Sequence, residues 1–217
     1  MPEGSVTIAE GSGGGRRRGR PKVVPDERRR DHVVEIGRLV FLERGFASAT
    51  MGEVAARARI SKQTLYRFFP NKPALFAAVV EAHRRSMLAL PGDYDHLPIA
   101  EALAAIARLD IGAEEDRERH ALVEMAFHES LAHPELRSTI LAHGVDPTHH
   151  DLTHWLERRA AAERWEIDDP ADLARIFMDL IFGAGRPPIP GETEPAEARR
   201  RRLARSIDVF LNGILPR

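Results

Sequence analysis

The sequence contains no cysteine. That excludes disulfides, thiolate nucleophiles and thiolate metal sites, and it fits a reducing interior. Aromatic residues are sparse, 6% of the chain with two tryptophans and two tyrosines. No apolar run approaches the roughly eighteen residues that a membrane-spanning helix needs. The N-terminus lacks the apolar core of a secretory signal. No stretch shows the alternation of a half-buried strand. Gly-x-Ser-x-Gly, phosphate-loop and His-Glu-x-x-His motifs are also missing. What these absences leave is an all-α protein, expected in the cytoplasm and away from membranes, with no enzymatic motif and no cofactor or metal expected.

What is present starts with charge. The net charge is -1, but the signs are segregated. Residues 16–85 hold 17 Lys+Arg against 7 Asp+Glu, and the remainder holds 15 against 26. A basic first third on an acidic body reads as a polyanion-binding head on a body that does not bind polyanions. With 43% hydrophobic residues there is material for a substantial core.

Punctuation along the chain gives helices. Residues 1–24 include GSGGGRRRGRPK, have no apolar face and read as a disordered basic arm. Its Arg18-Gly19-Arg20-Pro21 resembles an AT-hook core, suited to a narrow minor groove; the alternative is a solvated tail that adds salt-sensitive affinity. Helix one is predicted over 25–44, with Val33, Ile36, Gly37, Val40 and Phe41 in one stripe and Gly45 as its stop. Thr50, with Glu53 three residues on, makes a capping box for helix two, 51–57. Ser61 caps helix three, which ends before Pro70. Asn71 caps helix four, 72–88. Further helices are expected near 98–109, 114–132, 134–144, 147–164, 170–184 and 194–214, with Pro134, Pro147, Pro170 and Pro195 near their starts. This divides the chain into the arm (1–24), a head (25–71) and a helical body (72–217) whose first helix, 72–88, is the connector.

Helix three carries the chemistry. Leu65 and Phe68, three apart, can face inward. Ser61, Lys62, Gln63, Thr64, Tyr66 and Arg67 supply a polar, cationic front. A short helix of that kind after a tight turn is the recognition element of a helix-turn-helix, and it suits the major groove of DNA. Lys62, Gln63 and Thr64 lie where base edges are met. Gln63 suits adenine N6/N7, and Thr64 suits a thymine methyl. Tyr66 and Lys72 read as phosphate positioners, so Lys72→Ala is expected to lower the salt slope of binding by about 1. Thr50 and Ser61 combine capping with phosphate contact. Arg67 contacts DNA or solvates a helix face. Phe46, Leu65, Phe68 and Phe76 read as core.

The run GFASATMGEVAARARISKQTLYRFFPNKPALF resembles the DNA-binding domain of the TetR family of transcriptional regulators. The resemblance rests on Gly45-Phe46, Thr50, Val54-Ala55, Ser61, Leu65-Tyr66, Phe69, Lys72 and Leu75-Phe76. His133-Pro134-Glu135-Leu136-Arg137 and Phe210-Leu211-Asn212-Gly213 are similar to segments of the body in part of that family. The resemblance implies a ligand-responsive regulator, most often a repressor, that binds a palindromic operator as a homodimer. The family's turn usually carries glycine where this chain has Arg59. That arginine either takes a left-handed conformation or marks a different turn, and it could reach a phosphate.

In the body, Leu173, Ile176, Phe177, Leu180 and Ile181 form one stripe, and Leu203, Ile207, Phe210, Leu211 and Ile214 another. The resemblance implies a four-helix dimer interface from them; the plainer reading is intrachain core. A pocket for an unknown small-molecule effector is expected between helices of 98–165, with Leu103, Ile106, Leu122, Met125, Phe127, His128, Leu131, Ile140 and Trp155 as candidate lining. His120, Glu124 and His128, and the pair His150 and His154, have the spacing of helical metal ligands. Two competing functions follow: an all-α metalloenzyme using that His/Glu helix, or a low-specificity architectural DNA protein driven by the arm.

Overall fold

The computed structural model describes residues 26–185 and 194–214. The basic arm, with Arg18 and Arg20, lies outside them. In chain order the helices are α1 (Asp26–Ser48), α2 (Met51–Arg57), α3 (Lys62–Phe68), α4 (Lys72–Met87), α5 (Ile99–Ile106), α6 (Ala113–Ala132), α7 (Pro134–Ile140), α8 (Asp146–Glu163), α9 (Pro170–Gly185) and α10 (Ala196–Ile214). The fold is all-α, with no strand among the described residues. None of their helices is long and apolar enough to cross a membrane.

The helix stops expected in the head are made, with two refinements. Gly45 breaks α1 with φ 71 and ψ 166, a conformation that glycine adopts without Cβ strain. Thr50 Oγ1 accepts from the Glu53 N–H at 3.2 Å. The Glu53 carboxylate pairs with Arg57 at 2.9 Å and Arg44 at 3.5 Å, so these cations take the carboxylate expected to complete a capping box. After α2, the Ile60 N–H donates to Ala55 O at 3.0 Å and the Arg59 N–H to Ala56 O at 3.2 Å. This is a Schellman closure, and it holds Arg59 at φ 55. Of the two alternatives for the turn, the strained left-handed arginine is the one adopted.

Between α7 and α8 the chain does not break as Pro147 predicts. Leu141–Val145 form a π-turn that runs straight into α8. Proline in a continuous helix lacks a donor and crowds the carbonyl four residues earlier; widening the helix by one residue accommodates both effects.

Two cores organise the molecule. The first joins α1–α4 through Val33, Val40, Phe41, Phe46, Val54, Leu65, Leu75 and Phe76, and it also takes in Leu122 of α6 and Leu136 of α7. Phe41, Phe46 and Phe76 are mutually packed at centroid distances of 5.3–5.7 Å. The second joins α5, α8, α9 and α10 around Trp155 and Phe177. α4 leaves the first core and is tied to α8 by an Arg84–Asp151 ion pair.

The corner after Gly45 is where these parts meet. The chain kinks at Gly45 and continues through residues 46–49 to the start of α2. Lys72 Nζ donates to the Phe46, Ala47 and Ala49 oxygens at 2.6, 3.0 and 2.9 Å, 4.5 Å above the Phe46 ring. From α6, Glu129 Oε1 accepts the Phe46 N–H at 2.7 Å. A Cβ at Gly45 would sit 2.6 Å from that same oxygen, so glycine meets both a backbone and a packing requirement there.

Two outcomes are expected. A left-handed arginine costs about 1–2 kcal/mol, and glycine's freer unfolded chain offsets up to about 1 kcal/mol of the relief. Arg59→Gly should therefore raise the denaturant midpoint by an amount equivalent to less than about 2 kcal/mol; a lowered midpoint would show that the arginine side chain contributes a stabilising contact. Glu129→Ala orphans a sheltered N–H, at about 1–3 kcal/mol. Amide exchange at Phe46 should accelerate in Glu129→Ala and stay near wild type in Glu129→Gln, which keeps an acceptor. Equal protection in all three proteins would remove Glu129 from the corner.

Candidate nucleic-acid interface

Helix α3 is anchored from behind. Leu65 is buried completely and Phe69 nearly so, and Phe68 is half-buried. Arg30 of α1 lies over the Phe69 ring at 5.0 Å. The front is in solvent: Ser61, Lys62, Gln63, Tyr66 and Arg67 are exposed, and Tyr66 leaves 49% of its surface accessible. Thr50 is exposed at the start of α2. Most of the predicted front residues are thus open to solvent.

Their side chains are in different states of readiness. Lys62 and Gln63 project from the first turn of α3. Ser61 Oγ accepts the Thr64 N–H at 3.1 Å and lies 2.9 Å from Thr64 Oγ1, so Ser61 and the half-buried Thr64 are partly engaged with each other. Arg67 bends back to Asp26 at 3.1 Å and covers the Phe68 ring at 5.0 Å. That exposed pair contributes little to stability and is readily exchanged for another anion. Lys72 departs from its expected role: its ammonium has three protons, and three carbonyls of the corner hold it. The side chain assigned to a phosphate is the one that closes the backbone behind α2.

The body residues separate in the same way. Leu103, Ile106 and Trp155 fill the second core, and Leu122 belongs to the first with Met125 and Ile140 against it. Phe127, His128 and Leu131 are exposed. The proposed lining residues do not converge on one cavity, because the same helical period marks a core wall and a pocket wall alike. Of the expected interface residues, Phe177, Leu203, Ile207, Phe210 and Leu211 are buried within the protomer. Leu173 and Leu180 are half-buried, and Ile176 is 41% exposed. An amphipathic helix covers its own body first, and here the strongest stripe does so.

The histidines are occupied locally. His120 and His128 each turn Nδ1 to the carbonyl four residues earlier, at 2.8 Å. His150 and His154 pack edge to face at 4.3 Å. Among the described residues, no three His, Asp or Glu side chains come together as a metal-sized group.

Several polar residues escaped the sequence reading. Besides Glu129, these are Arg38, buried between Glu35 and Glu118, the Asp116–Arg119–Arg199 cluster, and Arg159, which donates to Asp95 O and Leu97 O at 2.7 Å. A charge on a helix reads as a solvated face unless its partner is known, and these partners are mostly distant in sequence.

Comparison with known proteins agrees with this geometry. Residues 35–79 match the model for bacterial regulatory proteins of the tetR family, and residues 101–213 match the C-terminal domain of AefR-like transcriptional repressors. The chain is 31% identical over 74% of its length to the transcriptional regulator AcuR of Cereibacter sphaeroides, covering 77% of that protein. It is 40% identical over 32% of its length to the HTH-type transcriptional activator FasR of Mycolicibacterium smegmatis, spanning only 31% of that relative. Among solved structures, the flavonoid-responsive regulator FrrA is 30% identical, with a TM-score of 0.60 over 88% of this chain and 99% of that one. These relatives are transcriptional regulators rather than enzymes, and the chain belongs to the TetR family of DNA-binding transcriptional regulators.

Proposed function

We propose that the protein is a ligand-responsive repressor in the cytoplasm that binds a palindromic operator as a homodimer. The observation that carries the DNA contact is the anchored α3, with Lys62, Gln63 and Tyr66 exposed on one face. Gln63 reads a base edge from the first turn, Lys62 and Thr64 flank it, and Thr50, Ser61 and Tyr66 engage the backbone. Arg67 moves from Asp26 to a phosphate. The arm, with Arg18 and Arg20, follows the adjacent minor groove.

Dimerisation uses what the protomer leaves uncovered. On α9 that is Leu173, Ile176 and Leu180, at i, i+3 and i+7; on α10 it is Val209, 57% exposed. Two copies facing through these stripes bring their heads to neighbouring major grooves, about 34 Å apart. An effector acts by favouring a body that holds the heads at the wrong spacing, and α4 is the lever because it carries the first core at one end and Arg84 at the other. The repressor sign follows the name of the matching C-terminal model; FasR, named an activator, shows that the sign varies among relatives.

Footprinting on DNA flanking the protein's own coding region, with and without candidate ligands, tests the reading. A discrete protected palindrome that a ligand releases is expected. Protection without defined edges at every salt concentration would mean an architectural protein instead. Within a footprint, Gln63→Ala should change base preference at one position per half-site by about 1–3 kcal/mol and leave unfolding unaffected. Lys72→Ala should do the reverse: an unfolding free energy lower by about 1–3 kcal/mol with an unchanged salt slope. A slope reduced by about 1 would return the Lys72 ammonium to a phosphate.

A further inference from the structure

The basic arm joins the head where α1 begins, and an open groove of about 480 Å³ lies nearby between α1 and α4. Val34 and Ala78, both buried, and Ala82 line it together with the exposed carboxylates Asp31, Glu35 and Glu81. Aliphatic surface beside carboxylates suits a long cationic side chain, whose stem packs while its head stays in water.

The head does not supply enough cations for these carboxylates. Arg38 holds Glu35 at 2.6 Å. The Asp31 and Glu81 side chains have no ion pair or hydrogen-bond partner among the described residues. Of the other lining residues, Arg30 has its guanidinium over the Phe69 ring at 5.0 Å. Burial lowers the pKa of His83, so its imidazole adds no charge at neutral pH. Asp31 and Glu81 are thus left to a cation from elsewhere.

The arm carries cations of the right kind within reach. Arg16, Arg17, Arg18, Arg20 and Lys22 are basic, and residues 11–25 include no acid. A helix rises about 1.5 Å per residue, which puts Asp31 roughly 8 Å and Glu35 roughly 14 Å from Asp26 along α1. An extended chain spans about 3.4 Å per residue, so Lys22 reaches roughly 14 Å from Asp26 and Arg20 roughly 20 Å. A chain folded back along α1 therefore covers the groove. Exposed ion pairs are individually weak, but a tether this short gives the arm a high effective concentration at the groove.

We propose that in the DNA-free protein the arm docks in this groove, with Arg18, Arg20 and Lys22 against Asp31 and Glu81, and that the groove competes with DNA for the arm. Phosphates displace the carboxylates when DNA arrives. Any duplex that engages the arm must first empty the groove, so the contact lowers the arm's sequence-independent contribution to affinity. This competition requires neither an effector nor a palindrome.

The contact is tested in the full chain without DNA. Because the chain has no cysteine, Gly19→Cys carries a single nitroxide label within the arm. At low salt the amide signals of Asp31, Glu35 and Glu81 should broaden more than those of Asp172 and Asp179, which are exposed on α9. Asp31→Asn combined with Glu81→Gln should remove the excess; both side chains are exposed, so the fold tolerates the change. No excess in wild type, or an excess that survives the double substitution, overturns the proposal. The competition is read by anisotropy titration of a duplex of random sequence. The double substitution should tighten binding by about three- to tenfold beyond the gain it gives when combined with Arg16→Gln, Arg17→Gln, Arg18→Gln, Arg20→Gln and Lys22→Gln. Equal gains in the two backgrounds would reflect net charge alone and would overturn the competition.

Discussion

The head depends on how the backbone between Gly45 and Thr50 is satisfied. A chain that leaves a helix and turns sharply exposes carbonyls and an N–H that neither helix can pair, and a sheltered polar group left unpaired is costly. Here one ammonium from α4 answers three carbonyls, and one carboxylate from α6 answers the N–H. The glycine that allows the turn also makes room for that carboxylate. Because α2 begins directly after this corner, the direction of α2 and α3 relative to α1 is set by Lys72 at the end of the motif and by Glu129 from outside it.

This changes where the head ends physically. A boundary at residue 71 follows the cap of α4, whereas the first core runs through α4 and includes Leu122 and Leu136. Each fully buried leucine contributes about 1.5–3 kcal/mol of burial free energy, so α6 and α7 are substantial parts of the head's support. α6 spans both systems. About 20 Å of helix separates Asp116 from Glu129, the first bonded to α10 and the second to the corner. α4 and α6 are therefore parallel mechanical connections between the recognition surface and the body.

What was legible in the sequence follows from the range of the forces involved. Helix ends were readable because caps are local: Thr50, Ser61 and Asn71 each bond an N–H three residues on. The inward face of α3 was readable because burial follows the helical period. Arg59 was recognisable as an anomaly, since a turn that favours glycine carried a Cβ, but its conformation needed the hydrogen bonds of the turn. The partners of Lys72 and Glu129 were not readable. Lys72 reaches back more than twenty residues and Glu129 more than eighty, and no periodicity encodes such pairings. The body was less legible for a related reason: the stripes on α9 and α10 are real, but apolar periodicity states only that a face is covered, and in the protomer much of it is covered by the chain itself.

The same couplings bound how any signal could reach DNA. Moving a two-state head from almost wholly competent to almost wholly incompetent takes a difference of about 5.5 kcal/mol in ligand affinity between the two states. No single contact named here supplies that. The Glu129 bond is worth a few kcal/mol at most, and the half-exposed Arg67–Asp26 pair is worth about 1 kcal/mol or less. A rigid shift of α6 relative to α1, however, would strain the Phe46 N–H bond and the packing of Leu122 together, since both belong to one helix. Cooperation between a directional bond and a packed side chain on the same rod brings the required difference within reach of one ligand. A ligand that altered α4 alone would have to displace α4 from a corner that Lys72 closes with three hydrogen bonds. On these energetics a ligand acting as proposed would move α4 and α6 together, α6 through the Phe46 N–H and α4 through the corner that Lys72 closes.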